Sequence, residues 1–207
     1  MKNLIDYTLI GKAVDLYDIK GYTYVETPWW VSTEALYSTM PMNITSFCID
    51  THKPGLRRSD DLPAGYLVGS AEQGLVQHML DGALETGKYV AAGPCFRNEP
   101  IVDDLHLTSF FKVELMFYLS SSDVVNLSVD RLIYEVLIDA RQTMEYLTRK
   151  AGRHTYIKTV NTDIGYDLTL NDIEVGSYGY RSYQGHHWVY GTGLALPRFH
   201  QALENVK

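Results

Sequence analysis

Residues 93–114, GPCFRNEPIVDDLHLTSFFKVE, put charge where a sheet normally has none. Two apolar runs, KYVAAGPCF on one side of a polar centre and SFFKVELMFY on the other, read as the arms of an antiparallel hairpin. Arg97 and Glu99 stand where the first arm meets the loop, and His106 and Glu114 where the second leaves it. Arg and Glu two apart in such a run need a cleft or each other, because a desolvated charge without a partner is costly. An arginine fork matches phosphate oxygens, and a glutamate accepts from an exocyclic amine. The Phe110 ring offers a flat face to a heterocycle. On these residues alone the hairpin reads either as a seat for a nucleoside triphosphate or as a surface hairpin with an Arg–Glu ion pair.

The order F-R-x-E, a loop, then H-x-x-x-F-x-x-x-E (Phe96, Arg97, Glu99, His106, Phe110 and Glu114) resembles motif 2 of the class II aminoacyl-tRNA synthetases. Other stretches extend the resemblance. Residues 3–20 space their apolar groups close to a helical period, Gly21 ends the helix, and the strand-like GYTYVETP closes on Pro28. Helix, glycine and strand together resemble motif 1, the dimer-forming element. GTGLALPRF, residues 191–199, resembles motif 3, a glycine-rich strand leading into a helix that carries Arg198. Gly191, Gly193 and Ala195 are expected there to let a nucleotide approach the backbone.

A second signal is YDLTLNDIEVGSYGYRSY, residues 166–183. Asp167 and Glu174, on neighbouring strands, can share a Mg²⁺ with phosphate oxygens, since a hard cation takes oxygen ligands. Gly176 and Gly179 are expected to allow close approach of a ligand. The order D-L-x-L-N-x-x-E-V-G-x-x-x-x-R resembles the aspartyl and asparaginyl branch. It implies Asp167 and Glu174 near the metal and Arg181 at the substrate's side chain. Before motif 2, Ser70 reads as the N-cap of a helix whose first turn carries Glu72. The resemblance gives Glu72 the substrate's α-amino group, and Glu114 joins it on the amino-acid side.

The resemblance implies an α+β fold: a six- or seven-stranded, mostly antiparallel sheet flanked by helices, spanning residues 1–207 as one catalytic domain and forming a homodimer. The implied reaction is ATP-dependent activation of an aspartate- or asparagine-like carboxylate as an acyl-adenylate. Arg97 would serve the α-phosphate, His106 and Arg198 the β- and γ-phosphates, and Glu99 and Phe110 the base. Three departures stand against it. Pro197 occupies the place of an acidic residue before Arg198, Ala195 that of a glycine, and apolar Leu75 and Val76 stand where the aspartyl enzymes carry a lysine. Pro197 and the absent lysine favour the alternative of a non-catalytic paralogue that binds an amino acid or nucleotide as a regulatory subunit.

Composition limits the partners. The chain has 207 residues, 45 % of them hydrophobic, ample for a core, and a net charge of −7. That balance gives no broad basic footprint for nucleic acid, so strong tRNA binding is not expected. No segment is assigned to an anticodon-binding domain, and the acceptor is expected to be something other than a full tRNA, ammonia being one candidate. Arg57 and Arg58 lie in a loop-like stretch as contacts for an anionic partner, or simply as solvated charge. Cys48 and Cys95 lack metal or disulfide spacing, and Cys95 reads as a buried hydrophobe. No signal peptide or membrane-length apolar run is apparent, and a cytoplasmic location is expected. Residues 122–150 read as one long scaffold helix stopped by Gly152.

Overall fold

The computed structural model describes residues 5–40, 49–50, 65–104, 106–153 and 156–205. Arg57, Arg58 and Cys48 lie outside them. The first helix, α1 (Tyr7–Ile19), is capped by Asp6, whose carboxylate accepts from the Leu9 N–H at 2.9 Å. It buries Ile10, Ala13 and Tyr17, and Gly21 follows with a φ of +85°, the conformation in which glycine closes a helix at least cost. The expected strand after it shortens to β1 (Thr23–Tyr24). Then come β2 (Trp30–Val31), α2 (Thr33–Thr39), β3 (Ile49–Asp50) and β4 (Tyr66–Leu67). Helix α2 did not emerge from the apolar pattern; its sequence signal is Ser32, which caps the Ala35 N–H.

Helix α3 (Ala71–Leu80) starts at the expected cap, Ser70. The central hairpin is β5 (Gly87–Phe96) against β6 (Ser109–Leu119), antiparallel throughout. The single long helix expected next is two: α4 (Ser121–Asn126) and α5 (Val129–Lys150). Ser128 causes the break, because its hydroxyl accepts from the Arg131 N–H and starts a new helix. Strands β7 (Ile157–Thr162), β8 (Gly165–Leu170), β9 (Ile173–Tyr183) and β10 (His186–Leu196) lead into α6 (Arg198–Glu204). Asn171 and Asp172, both at positive φ, make the tight β8–β9 turn.

Seven strands form one sheet in the order β1-β5-β6-β10-β9-β8-β7, antiparallel except for β1 beside β5, and β2, β4 and β3 form a small second sheet. This is the expected α+β architecture. Helices α1, α5 and α6 cover one face of the large sheet with a continuous apolar core that includes Tyr17, Leu115, Val136, Tyr178 and Phe199. On the other face α2 and α3 cover only one end, packing Leu36, Leu75, Val76 and Met79 on Ala91, Met116 and Trp188. Leu75 and Val76 are therefore core residues, fully buried, and have no access to a ligand. No helix among the described residues is long and apolar enough to cross a membrane.

Candidate active site

The half-covered face makes the site. Side chains alternate along a strand, so Phe110, Lys112 and Glu114 share one face of β6, and Met116 continues it beneath α3. The same change from apolar to polar runs along β10, from Trp188 and Tyr190 to Thr192, and along β9, from Tyr183 to Arg181 and Ser177. Where the helical layer ends, the sheet carries charge, and a cavity of about 510 Å³ opens above it. Eight of the residues singled out in the sequence line it: Glu72, Arg97, Glu99, His106, Glu114, Glu174, Arg181 and Arg198. A smaller cavity of about 160 Å³ adjoins it, lined by Phe110, Pro197 and Arg198, and shares Arg97, Glu99 and Lys112 with the larger one.

The charges in the main cavity are paired almost throughout. Arg181 Nε donates to Glu72 Oε1 at 3.1 Å, and Lys112 pairs with Glu114. Arg198 faces Glu174 at 3.7 Å, and His106 Nδ1 meets Asp103 at 2.8 Å. Arg97 differs. Its Nε donates to the Gly69 carbonyl at 3.1 Å and its guanidinium stands 5.0 Å from the Phe110 ring centroid, but among the described residues it has no carboxylate partner. It is the cation in this cavity whose charge is left for an anion.

Two buried carboxylates form the far end. Glu72 Oε1 accepts from Trp188 Nε1 at 2.9 Å as well as from Arg181, and Glu114 Oε1 accepts from the Ser70 hydroxyl as well as from Lys112. In both, the second oxygen is the one not committed to these bonds. Burial pushes the Glu72 carboxyl above the ordinary carboxylate value; Arg181 and the Trp188 hydrogen bond oppose the shift, and the charge of Glu114 adds to it.

Other expectations change in detail. Phe110 lines the smaller cavity, and Arg97 already stands over its ring. Asp167 lies outside both cavity linings; it sits opposite Ser177 in the β8–β9 ladder. Its carboxyl is raised by burial and by the charge of Glu174, while a hydrogen bond with Ser177 lowers it. Among the described residues no three His, Cys, Asp or Glu side chains gather as a protein-only metal cage. Two carboxylates and a hydroxyl are an oxygen-only donor set, which fits a Mg²⁺ completed by phosphate and water.

The glycines serve packing, which corrects the expectation of ligand approach. A Cβ on Gly191 would lie 2.5 Å from the Tyr178 ring, and one on Gly193 2.9 Å from Tyr17, both on the helix-covered face. Gly176 makes room for the Tyr178 hydroxyl and Gly179 for the Tyr190 ring. Pro197 stands at the N-cap position of α6, directly before Arg198. Lys112 and Ser70 are site residues that the sequence reading passed over as such. The signal for Lys112 was the two-residue period Phe110-Lys112-Glu114.

No family model and no curated protein matches the sequence. Solved structures match its fold. Pyrrolysyl-tRNA synthetase from Desulfitobacterium hafniense is similar with a TM-score of 0.66 at 16 % identity, over 97 % of this chain and 67 % of that one. Seryl-tRNA synthetase from Pyrococcus horikoshii, solved with ATP, gives 0.66 at 19 %, over 97 % and 49 %. Cytoplasmic serine-tRNA ligase from Naegleria fowleri, solved with AMP, gives 0.63 at 15 %, over 97 % and 58 %. The chain thus has the class II synthetase catalytic fold and spans between about half and two-thirds of these three proteins' lengths. They are pyrrolysyl and seryl enzymes, and they lend no support to the aspartyl or asparaginyl branch.

Proposed function

We propose that the protein activates an amino acid with ATP, forming an acyl-adenylate and pyrophosphate. The observation that carries this reading is Arg97, the cavity cation without a carboxylate partner among the described residues, held between the Gly69 carbonyl and Phe110 at the junction of the two cavities. In the proposed reaction a carboxylate oxygen of the amino acid attacks the α-phosphorus, and the bond to the pyrophosphate leaving group breaks. Arg97 stabilises the charge that develops on the α-phosphate, and no protein nucleophile is needed. His106, oriented through Nδ1 by Asp103, and Arg198 hold the β- and γ-phosphates. Glu99 accepts from the base's exocyclic amine and Phe110 packs against its ring. Glu72 and Glu114 take the α-ammonium group. Asp167 and Glu174 would hold Mg²⁺, which neutralises phosphate charge when bound.

The acceptor is proposed to be a group other than a full tRNA, on the strength of the net charge of −7. Ammonia as acceptor, giving asparagine, requires aspartate as substrate, and Arg181 is the residue on which that version rests. A non-catalytic binding paralogue is the second reading; Pro197 at the cap of α6 is the feature in its favour. Hydroxylamine trapping separates the two. Incubation with ATP, pooled amino acids and hydroxylamine forms an amino-acid hydroxamate and AMP if the carboxylate is activated, and neither if the protein only binds.

A further inference from the structure

We infer that the amino acid taken at this site has an uncharged side chain. The inference rests on the activation reading above and concerns the part of the cavity lined by Glu72, Glu114 and Arg181. Among the described residues, the two cations there are already matched: Arg181 by Glu72 and Lys112 by Glu114. The Arg181 guanidinium also lies over the Tyr190 ring, 4.3 Å from its centroid, which fixes its plane. A side-chain carboxylate entering here would give up its water for cations already neutralised, beside two buried acids whose charges repel it.

The neighbouring polar groups are also committed. The Gln73 amide donates to Thr39 Oγ1 at 3.2 Å, and its oxygen accepts from the Gly69 N–H at 2.8 Å. Leu36, Met40 and Leu67 supply apolar wall beside them. Among the described residues, a cationic side chain meets at that wall no carboxylate beyond the two assigned to the α-ammonium. An amide or a hydroxyl costs less to desolvate than a charge, and a hydrocarbon costs nothing. Aspartate is disfavoured for the same reason, and with it the ammonia-dependent formation of asparagine.

The test is pyrophosphate exchange into ATP, measured for each amino acid singly, with ATP binding measured separately by equilibrium dialysis. The expected result is exchange with one or more neutral amino acids at a kcat/KM at least about tenfold above that with aspartate, glutamate, lysine or arginine. In Leu67→Arg, which adds a cation at the wall, the ratio of aspartate to neutral substrate should rise. Exchange strongest with aspartate or another charged amino acid would overturn the inference and leave the activation reading intact. ATP binding without exchange for any amino acid would overturn the inference and leave a nucleotide-binding protein. Absence of ATP binding would remove the activation reading together with the inference.

Discussion

Arg181 on β9 donates its Nε to Glu72 on α3 at 3.1 Å, across 109 residues of sequence. The same carboxylate oxygen takes the indole N–H of Trp188 on β10. One buried acid thus ties the helical layer to two strands of the large sheet at the point where that layer ends. The wall of the cavity and its charge balance are fixed by the same contact.

The pH dependence of this contact has a definite sign. Burial raises the Glu72 carboxyl above its ordinary 4.5, so between the two values the folded chain holds a proton that the unfolded chain has lost. The group's contribution to stability is complete below 4.5 and declines as pH rises through the folded value. In Glu72→Gln this decline should be absent when denaturant midpoints are followed upward from pH 4.5. An ionised Glu72 is also what an ammonium needs, so amino-acid affinity should fall on acidification with a midpoint above the ordinary carboxylate range.

Lys112→Met leaves Glu114 in a buried site without its cation. A loss of about 3 kcal/mol is expected, because removing one partner strands the other's charge. Adding Glu114→Gln should recover much of it. Urea denaturation of the two variants and of the double variant measures the coupling.

Much of the fold was legible because its signals are local. Ser70 caps the helix it was placed before, and the two apolar runs KYVAAGPCF and SFFKVELMFY are the arms of the central hairpin. The break at Ser128 lay in a continuous apolar stripe, where a cap signal competes with periodicity. Eight of the ten assigned site residues line the main cavity. What the sequence could not reveal is pairing at a distance. Arg181 looks like a free cation until β9 is set beside α3, and Lys112 looks like a surface residue until α3 is laid over half of a sheet face. Two of the glycines misled for the same reason: Tyr17 fills the space of Gly193 from 176 residues away, and Tyr178 that of Gly191 from the neighbouring strand, neighbours that appear only once the sheet is assembled.

Gly191→Ala tests that packing. Its Cβ would stand 2.5 Å from the Tyr178 ring and 2.9 Å from Val136, on a face with no room to yield. A destabilisation of about 1–3 kcal/mol is expected from overpacking. With Tyr178→Leu, which removes the ring edge in the way, the combined loss should be smaller than the sum of the two.

Asp167→Asn and Glu174→Gln should each raise the Mg²⁺ concentration needed for half-maximal exchange without altering the fold. Titration of exchange activity with magnesium chloride, alongside far-UV circular dichroism, measures both. An unchanged magnesium requirement in the double variant would remove these residues from the metal.

The central claim is that Arg97 is the cation that meets the α-phosphate of ATP during carboxylate activation. ATP–pyrophosphate exchange with pooled amino acids, in the unaltered protein and in Arg97→Ala, tests it most directly. The account predicts amino-acid-dependent exchange that falls by about 10²–10³-fold in Arg97→Ala, as for loss of a donor aimed at developing charge. Exchange undiminished in Arg97→Ala, or no amino-acid-dependent exchange in the unaltered protein, would contradict it.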